Sequence, residues 1–210
     1  MVLTLLFLAS YLLGSIPFSV VIGKLFFGVD VRQQGSGNPG ATNTMRVLGK
    51  KAGFAVLLLD MGKGALAVLL AYLISMKFDI TTNSLSLSDC KTICGGLAIL
   101  GHVYSPFLKF KGGKGVATAM GTVLALQPLI GLIMILTFTL ILILFKYVSL
   151  GSIIAAGLYP LLCYLLLPAP GLILYLFSIS LALLIIIKHR ENIKRLLAGN
   201  ENRFSLKSKK

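Results

Sequence analysis

The sequence predicts an all-α fold: a polytopic bundle of transmembrane helices forming one integral membrane domain over residues 1–210. Three observations predict it. Apolar side chains make up 57% of the chain and charged ones only 12%, against roughly 25% charged in soluble chains; so few charges cannot coat that much apolar surface in water. Several uncharged stretches approach or exceed the ~20 helical residues that cross a bilayer core of ~30 Å. The chain nevertheless carries a net charge of +14, and its basic residues gather between the apolar stretches, the pattern that orients membrane proteins. Hydrophobicity excludes a disordered chain, and three cysteines are too few for a disulfide scaffold.

Residues 1–23 contain no charge and have no basic segment before them, so they read as a retained spanning helix rather than a signal peptide. Residues 52–76 form the second helix, apolar except for Asp60 and Lys63, and 92–108 the third. The uncharged stretch 115–145 is too long for one straight span, and Gln127-Pro128 divides it into 115–126 and 129–145. Stretch 147–187 divides at Pro168-Ala169-Pro170. Seven helices result, the fourth being the shortest. With seven, 17 of the 20 basic residues fall on one side: Lys24, Arg32, Arg46, Lys50 and Lys51 in the first loop, Lys109, Lys111 and Lys114 in the third, Lys146 in the fifth, and the tail from Lys188 to Lys210. The positive-inside rule then puts the amino terminus outside and the carboxyl terminus in the cytoplasm. Residues 77–90, rich in Ser, Thr, Asn and Asp, read as a solvated outer loop.

The loops on the basic side carry candidate chemistry. The first contains Gly35, Ser36, Gly37, Asn38, Pro39, Gly40, Ala41, Thr42 and Asn43, followed by Arg46. Its glycines permit backbone conformations closed to other residues, and Pro39-Gly40 suits the centre of a type II turn. Such a stretch can aim several N–H groups at one anion. Thr42 or Asn43 is placed to cap a short helix, and the planar fork of Arg46 suits phosphate. The third loop, Lys111-Gly112-Gly113-Lys114-Gly115, combines close backbone approach with a mobile ammonium. In the tail, His189 and Asn192 lie three apart and share a helix face, while Lys207, Lys209 and Lys210 read as a basic, lipid-facing segment. Asp60 and Lys63, one turn apart, read as a structural ion pair within the membrane. His102 reads as a hydrogen-bonded packing residue.

Other motifs fail on context. The first loop matches G-x-G-x-x-G, but an apolar helix precedes it where a dinucleotide site needs a strand. The third loop lacks the spacing of a phosphate-binding P-loop: position 108 is Leu where Gly is needed, and Gly115 stands where Ser or Thr should follow the lysine. Neither histidine is followed by an Asp five positions on, no G-x-S-x-G elbow occurs, and Cys90, Cys94 and Cys163 make no zinc pattern with the distant histidines.

Three segments together resemble the bacterial acyl-phosphate:glycerol-3-phosphate acyltransferases. They are residues 35–60 (GSGNPGATNTMRVLGKKAGFAVLLLD) with MGKG following, 101–118 (GHVYSPFLKFKGGKGVAT) and 189–204 (HRENIKRLLAGNENRF), in the family's order. Ser105-Pro106 departs from it, since many relatives place the proline one residue earlier. The resemblance implies an integral enzyme of the bacterial inner membrane, active on the cytoplasmic side in the first step of phosphatidic acid synthesis. It implies transfer of a fatty acyl group from acyl phosphate to the 1-hydroxyl of glycerol 3-phosphate, giving lysophosphatidic acid and inorganic phosphate. It implies no cofactor, no metal and no nucleic acid. The partners it implies are the two substrates, membrane lipids, and an upstream acyl-phosphate-forming enzyme as a source of donor.

By the same resemblance, Gly35, Ser36, Gly37, Asn38, Thr42 and Asn43 form a phosphate cradle. Arg46 and Lys114 neutralise phosphate charge and stabilise the developing oxyanion, and Gly112 and Gly113 belong to the substrate-binding loop beside Lys114. His189 and Asn192 orient glycerol phosphate. Two routes for the hydroxyl proton stay open: His189 as general base, or the leaving phosphate itself, the route the family implies. Arg46, Lys114 and His189 are the catalytic candidates. A transporter of a phosphate or phospholipid anion is the competing reading, because broken helices whose ends cradle anions are transporter devices. Against it, the polar loops cluster on one side rather than at the midplane.

Overall fold

The computed structural model describes residues 1–81 and 85–204. Among the described residues the regular structure consists of ten α-helices and two short 3-10 turns, with no strand. Residues 82–84 of the polar outer loop, and Lys207, Lys209 and Lys210 of the basic tail, lie outside the described residues. The chain forms two compact units, Met1–Leu126 and Gln127–Lys210. The boundary falls at Gln127-Pro128, where the missing proline N–H divides the long apolar stretch.

The first unit contains α1 (Val2–Ser15), α2 (Phe18–Phe27), α3 (Ala41–Leu48), α4 (Lys50–Ser75), α5 (Leu87–Val103) and α6 (Val116–Leu126). The stretch 1–23 is not one straight helix. Pro17 interrupts it, and α1 and α2 meet at 46°. α5 starts earlier than its uncharged stretch, because Ser86 and Asp89 form a reciprocal capping box. It also ends earlier, at Val103. Pro106 disfavours helical backbone in the residue before it and opens a 3-10 turn, Pro106–Leu108. α6 crosses α4 at close range: a Cβ on Gly64 would collide with the Thr118 carbonyl, and one on Gly121 with that of Met61. Among the described residues, buried apolar clusters help to hold the unit: one lies around Leu6, Ala71, Cys90 and Cys94, and another joins Val20, Val31 and Leu108.

The second unit contains α7 (Pro128–Phe145), α8 (Val148–Leu166), α9 (Leu172–Lys188) and α10 (Arg190–Leu197). α7 starts with proline at its first position, where the missing N–H costs nothing. Its Leu129, Leu132, Leu136, Leu140, Ile143 and Leu144 are all exposed, a contiguous apolar face suited to lipid.

By length and composition α4, α7 and α8 are apolar and long enough to cross a membrane, and the count rises from three to five if each of the bent pairs α1–α2 and α9–α10 is one span. α5 has 17 residues. α6 has 11, or about 16 Å at 1.5 Å per residue, so these two of the seven expected helices fall short of the same measure.

Candidate active site

Each unit carries a polar cluster of its own. In the first, the segment before α3 is tied down at Asp30. Its carboxylate accepts from the backbone N–H of Arg32 at 3.1 Å and pairs with the guanidinium at 2.6 Å. The Arg32 hydrogen bonds hold the Asp30 carboxyl well below the usual carboxylate range. Arg32 is therefore engaged with its own loop.

Gly35 and Gly37 have φ of 63° and 71°, the left-handed region that favours glycine. Between them, the Ser36 N–H donates to Asn43 Oδ1 at 2.8 Å. The Asn43 amide donates to the Val31 carbonyl at 2.7 Å and the Gln34 carbonyl at 3.1 Å. Asn43, 1% exposed, is thus the organiser of the loop.

The loop departs from two local expectations. Gly40 has φ −152° and is extended, so Pro39-Gly40 is not the centre of a type II turn, which needs positive φ at its third residue. Instead the Gly40 N–H reaches back to the Asn38 carbonyl at 2.9 Å around Pro39. Nor does Thr42 or Asn43 cap α3. Gly40 holds the cap position without a side-chain bond, and both residues lie in the first turn. The N–H groups of that turn have no intrahelical acceptor, and the positive end of the helix dipole lies there. The anion-seeking donors are therefore more those of the helix start than of the glycine loop, where the N–H groups of Ser36, Gly37 and Gly40 turn inward. Arg46 is exposed further along α3.

The second glycine loop, which is the third loop of the sequence, folds back along the end of α5. Lys109 and Phe110 have φ of 51° and 60°, two successive left-handed residues that reverse the chain. The N–H groups of Gly112 and Gly113 then donate to the carbonyls of Val103 and His102, both at 3.1 Å. A Cβ on Gly112 would collide with the His102 carbonyl, and one on Gly113 with His102 Nε2. These glycines permit close backbone approach as expected, but to His102. Lys114 follows, half-buried, two residues before the start of α6. Both loops stand on one apolar foot, because Val31 precedes the first, Leu108 precedes the second, and both pack with Val20, Val47 and Leu48.

Beneath the second loop, Asp60 and Lys63 form the expected pair at 2.7 Å, each nearly inaccessible. His102 joins them, its Nδ1 lying 2.8 Å from Lys63 Nζ. The sequence reading missed this third member, because the residues are 39 positions apart.

In the second unit, His189 sits at the 59° bend between α9 and α10 rather than on a continuous helix. It is 3% exposed, and its Nδ1 lies 2.8 Å from the Ile185 carbonyl. A carbonyl only accepts, so Nδ1 carries the ring proton there. Asn192 donates to Glu201 Oε1 at 2.7 Å, Ser149 donates to the same oxygen at 2.9 Å, and Arg195 donates to Oε2 at 2.7 Å. Burial alone would raise the Glu201 carboxyl, but these hydrogen bonds hold it below its ordinary value. Glu201 and Ser149 also went unread in the sequence. The signal available was an acidic residue within a strongly basic tail.

The family model described as glycerol-3-phosphate acyltransferase matches residues 4–199. The glycerol-3-phosphate acyltransferase of Staphylococcus aureus (strain Newman) is 44% identical over 203 residues, covering 96% of this chain and 97% of that protein. The Fusobacterium nucleatum enzyme of the same name is 46% identical over 195 residues, covering 93% of this chain and 94% of its own. Two crystal structures of PlsY (YgiH), an integral membrane glycerol 3-phosphate acyltransferase, are similar at 42% identity. The glycerol 3-phosphate form has a TM-score of 0.86 over 98% of this chain and 96% of that one. The lysophosphatidic acid form has a TM-score of 0.84, over 98% and 97%. With nearly its whole length matched by the family and by relatives above 40% identity, the chain belongs to the glycerol-3-phosphate acyltransferase family.

Proposed function

We propose that this chain transfers a fatty acyl group from acyl phosphate to the 1-hydroxyl of glycerol 3-phosphate. The hydroxyl oxygen bonds to the acyl carbon, the carbon–oxygen bond to phosphate breaks, and lysophosphatidic acid and inorganic phosphate leave. The hydroxyl proton departs on the leaving phosphate, which needs little acid–base help from the protein. The observation that carries this reading is the pair of glycine loops on one apolar foot, one followed by Arg46 and the other by Lys114. Such a pair suits two phosphorylated substrates better than one. Further support is the likeness to an acyltransferase crystallised in glycerol 3-phosphate and lysophosphatidic acid forms; the transporter reading draws no comparable support.

In this proposal the start of α3, which includes Thr42, receives phosphate with Ser36 and Asn38 beside it. Gly35, Gly37 and Asn43 shape that loop, and Gly112 and Gly113 shape the other. Arg46 and Lys114 neutralise charge that grows as the acyl carbon becomes tetrahedral, an electrostatic contribution of ~3–4 kcal/mol per well-aimed donor. His189 and Asn192 keep the substrate-orienting role that the family pattern implies. The proposed setting is the bacterial inner membrane, with the whole chain as one acyltransferase domain. Seven crossings, an outside amino terminus and a cytoplasmic site are supported by the 17 of 20 basic residues that this arrangement gathers on one side.

Purified protein supplied with acyl phosphate and labelled glycerol 3-phosphate should release lysophosphatidic acid and phosphate in equal amounts, with little product from acyl-CoA or acyl carrier protein. Absence of product from folded protein defeats the reading, and equal use of acyl-CoA defeats the donor assignment. His189→Asn separates the proton routes. Loss of turnover by several orders of magnitude with binding intact defeats substrate assistance.

A further inference from the structure

The buried group under the second glycine loop has a chemistry that a structural ion pair does not need. The Lys63 ammonium is donor-only. It meets Asp60 Oδ1 at 2.7 Å, His102 Nδ1 at 2.8 Å and the Ile16 carbonyl at 3.0 Å, with the Phe18 ring 5.7 Å away. Ile16 lies at the break between α1 and α2. Asp60 Oδ1 finds no aligned hydrogen-bond donor, so its contact with Lys63 is ionic, and it also lies 3.5 Å from His102 Nδ1. Facing an ammonium, Nδ1 must accept, which leaves the imidazole proton on Nε2. That nitrogen is the one against which Gly113 rests with no room for a Cβ.

We infer that Asp60 and Lys63 are positioning residues: they fix His102 as the Nε2–H tautomer in one orientation, and the ring forms the wall that sets the height of Gly113 and so of Lys114. The chain of contact is short. Asp60 holds Lys63, Lys63 holds Nδ1, the ring backs Gly113, and Lys114 is the next residue. A displacement of a catalytic cation by about 1 Å lowers turnover by ~10²-fold, so a network with no substrate contact can govern the rate. The kinetic consequence rests on the proposed acyl transfer; the tautomer does not.

Two measurements test this. Nitrogen-15 spectra of the full chain labelled at histidine report both rings, since the chain has two histidines, and His102→Gln identifies which signals belong to His102. The expected result is a proton on Nε2 and a bare Nδ1 in the wild type, with this tautomer lost in Lys63→Met. A wild-type proton on Nδ1, or an unchanged ring in Lys63→Met, overturns the inference even if the protein proves inactive as an acyltransferase.

The second measurement is kinetic. Asp60→Leu/Lys63→Met removes both charges together and leaves neither stranded, so the double variant should fold. Its kcat should fall at least ~10-fold, His102→Ala should lose as much, and the triple variant should lose no more. Wild-type kcat in the double variant, or losses that multiply in the triple, overturn the inference. Should the double variant fail to fold, His102→Gln decides. Its amide N–H reaches the Nε2 position, so it should retain most of the kcat that His102→Ala loses, and equal losses refute the positioning role. No acyl transfer by folded wild-type protein counts against the proposed function instead, and the spectra then decide the tautomer alone.

Discussion

Replacing Asn43 by Ala tests the architecture of the first loop. The side chain makes three hydrogen bonds, accepting from Ser36 N–H and donating to the carbonyls of Val31 and Gln34. At ~1 kcal/mol net for each bond, the alanine variant should lose about 3 kcal/mol of local stability. That corresponds to roughly a 10²-fold shift in the equilibrium for opening the loop. The Val31 bond is the buried one, so most of the loss should arise where the loop leaves the apolar foot. Amide exchange at Ser36 and Gly37 should accelerate by about that factor, because the Ser36 N–H loses its acceptor and the Gly37 N–H loses the geometry that points it at Gln34. Asn43→Asp should be worse. Its carboxylate still accepts from Ser36 but faces two carbonyl oxygens it cannot donate to. Gly35→Ala should mimic the alanine variant, because its Cβ would collide with Asn43 Oδ1. All three should raise the KM for glycerol 3-phosphate. Unchanged Ser36 exchange in Asn43→Ala, or equal behaviour of the Ala and Asp variants, would refute the organiser role and return Asn43 to direct phosphate contact.

Three further outcomes are expected. Lys114→Met should lower kcat by ~10²–10³ with little change in melting temperature; a higher KM at unchanged kcat would show that Lys114 only binds. Glu201 has a depressed carboxyl in the folded chain, so its contribution to stability is present above the ordinary value of about 4.3 and is lost as pH falls through the lower folded value. Glu201→Gln should therefore flatten the acid limb of thermal stability in detergent, and parallel acid limbs for variant and wild type would refute the assignment. Leu197→Cys, at a position 85% exposed next to the basic tail, should react with a membrane-impermeant thiol reagent only from the cytoplasmic side. The native cysteines are all buried, and labelling from outside would reverse the proposed orientation.

What the sequence made legible follows from the range of the forces involved. Apolar stretches and prolines act within a few residues, so the breaks at Gln127-Pro128 and Pro168-Ala169-Pro170 could be placed, and α6, α7, α8 and α9 lie where they were expected. Pro17 acts as locally, but it sits within an uncharged stretch, where hydropathy alone does not reveal a 46° bend. The glycine loops were recognised as special for a reason only partly right. Gly35 and Gly37 do take left-handed backbone. Gly112 and Gly113, by contrast, are glycine because the second loop lies against His102, a contact that depends on how the chain turns at Lys109 and Phe110. The least legible features were the polar clusters closed by tertiary packing, Asp60–Lys63–His102 in the first unit and Asn192–Glu201–Ser149 in the second. Spacing along a helix found the first pair, since three residues make one turn, and offered no route to His102. Burial supplies the missing criterion. An ionisable group in an apolar helix needs a partner, and Asp60 with Lys63 already met that need in the sequence. A third polar group drawn to a pair already neutral is not required for charge balance, and this makes His102 the member whose presence calls for a functional explanation.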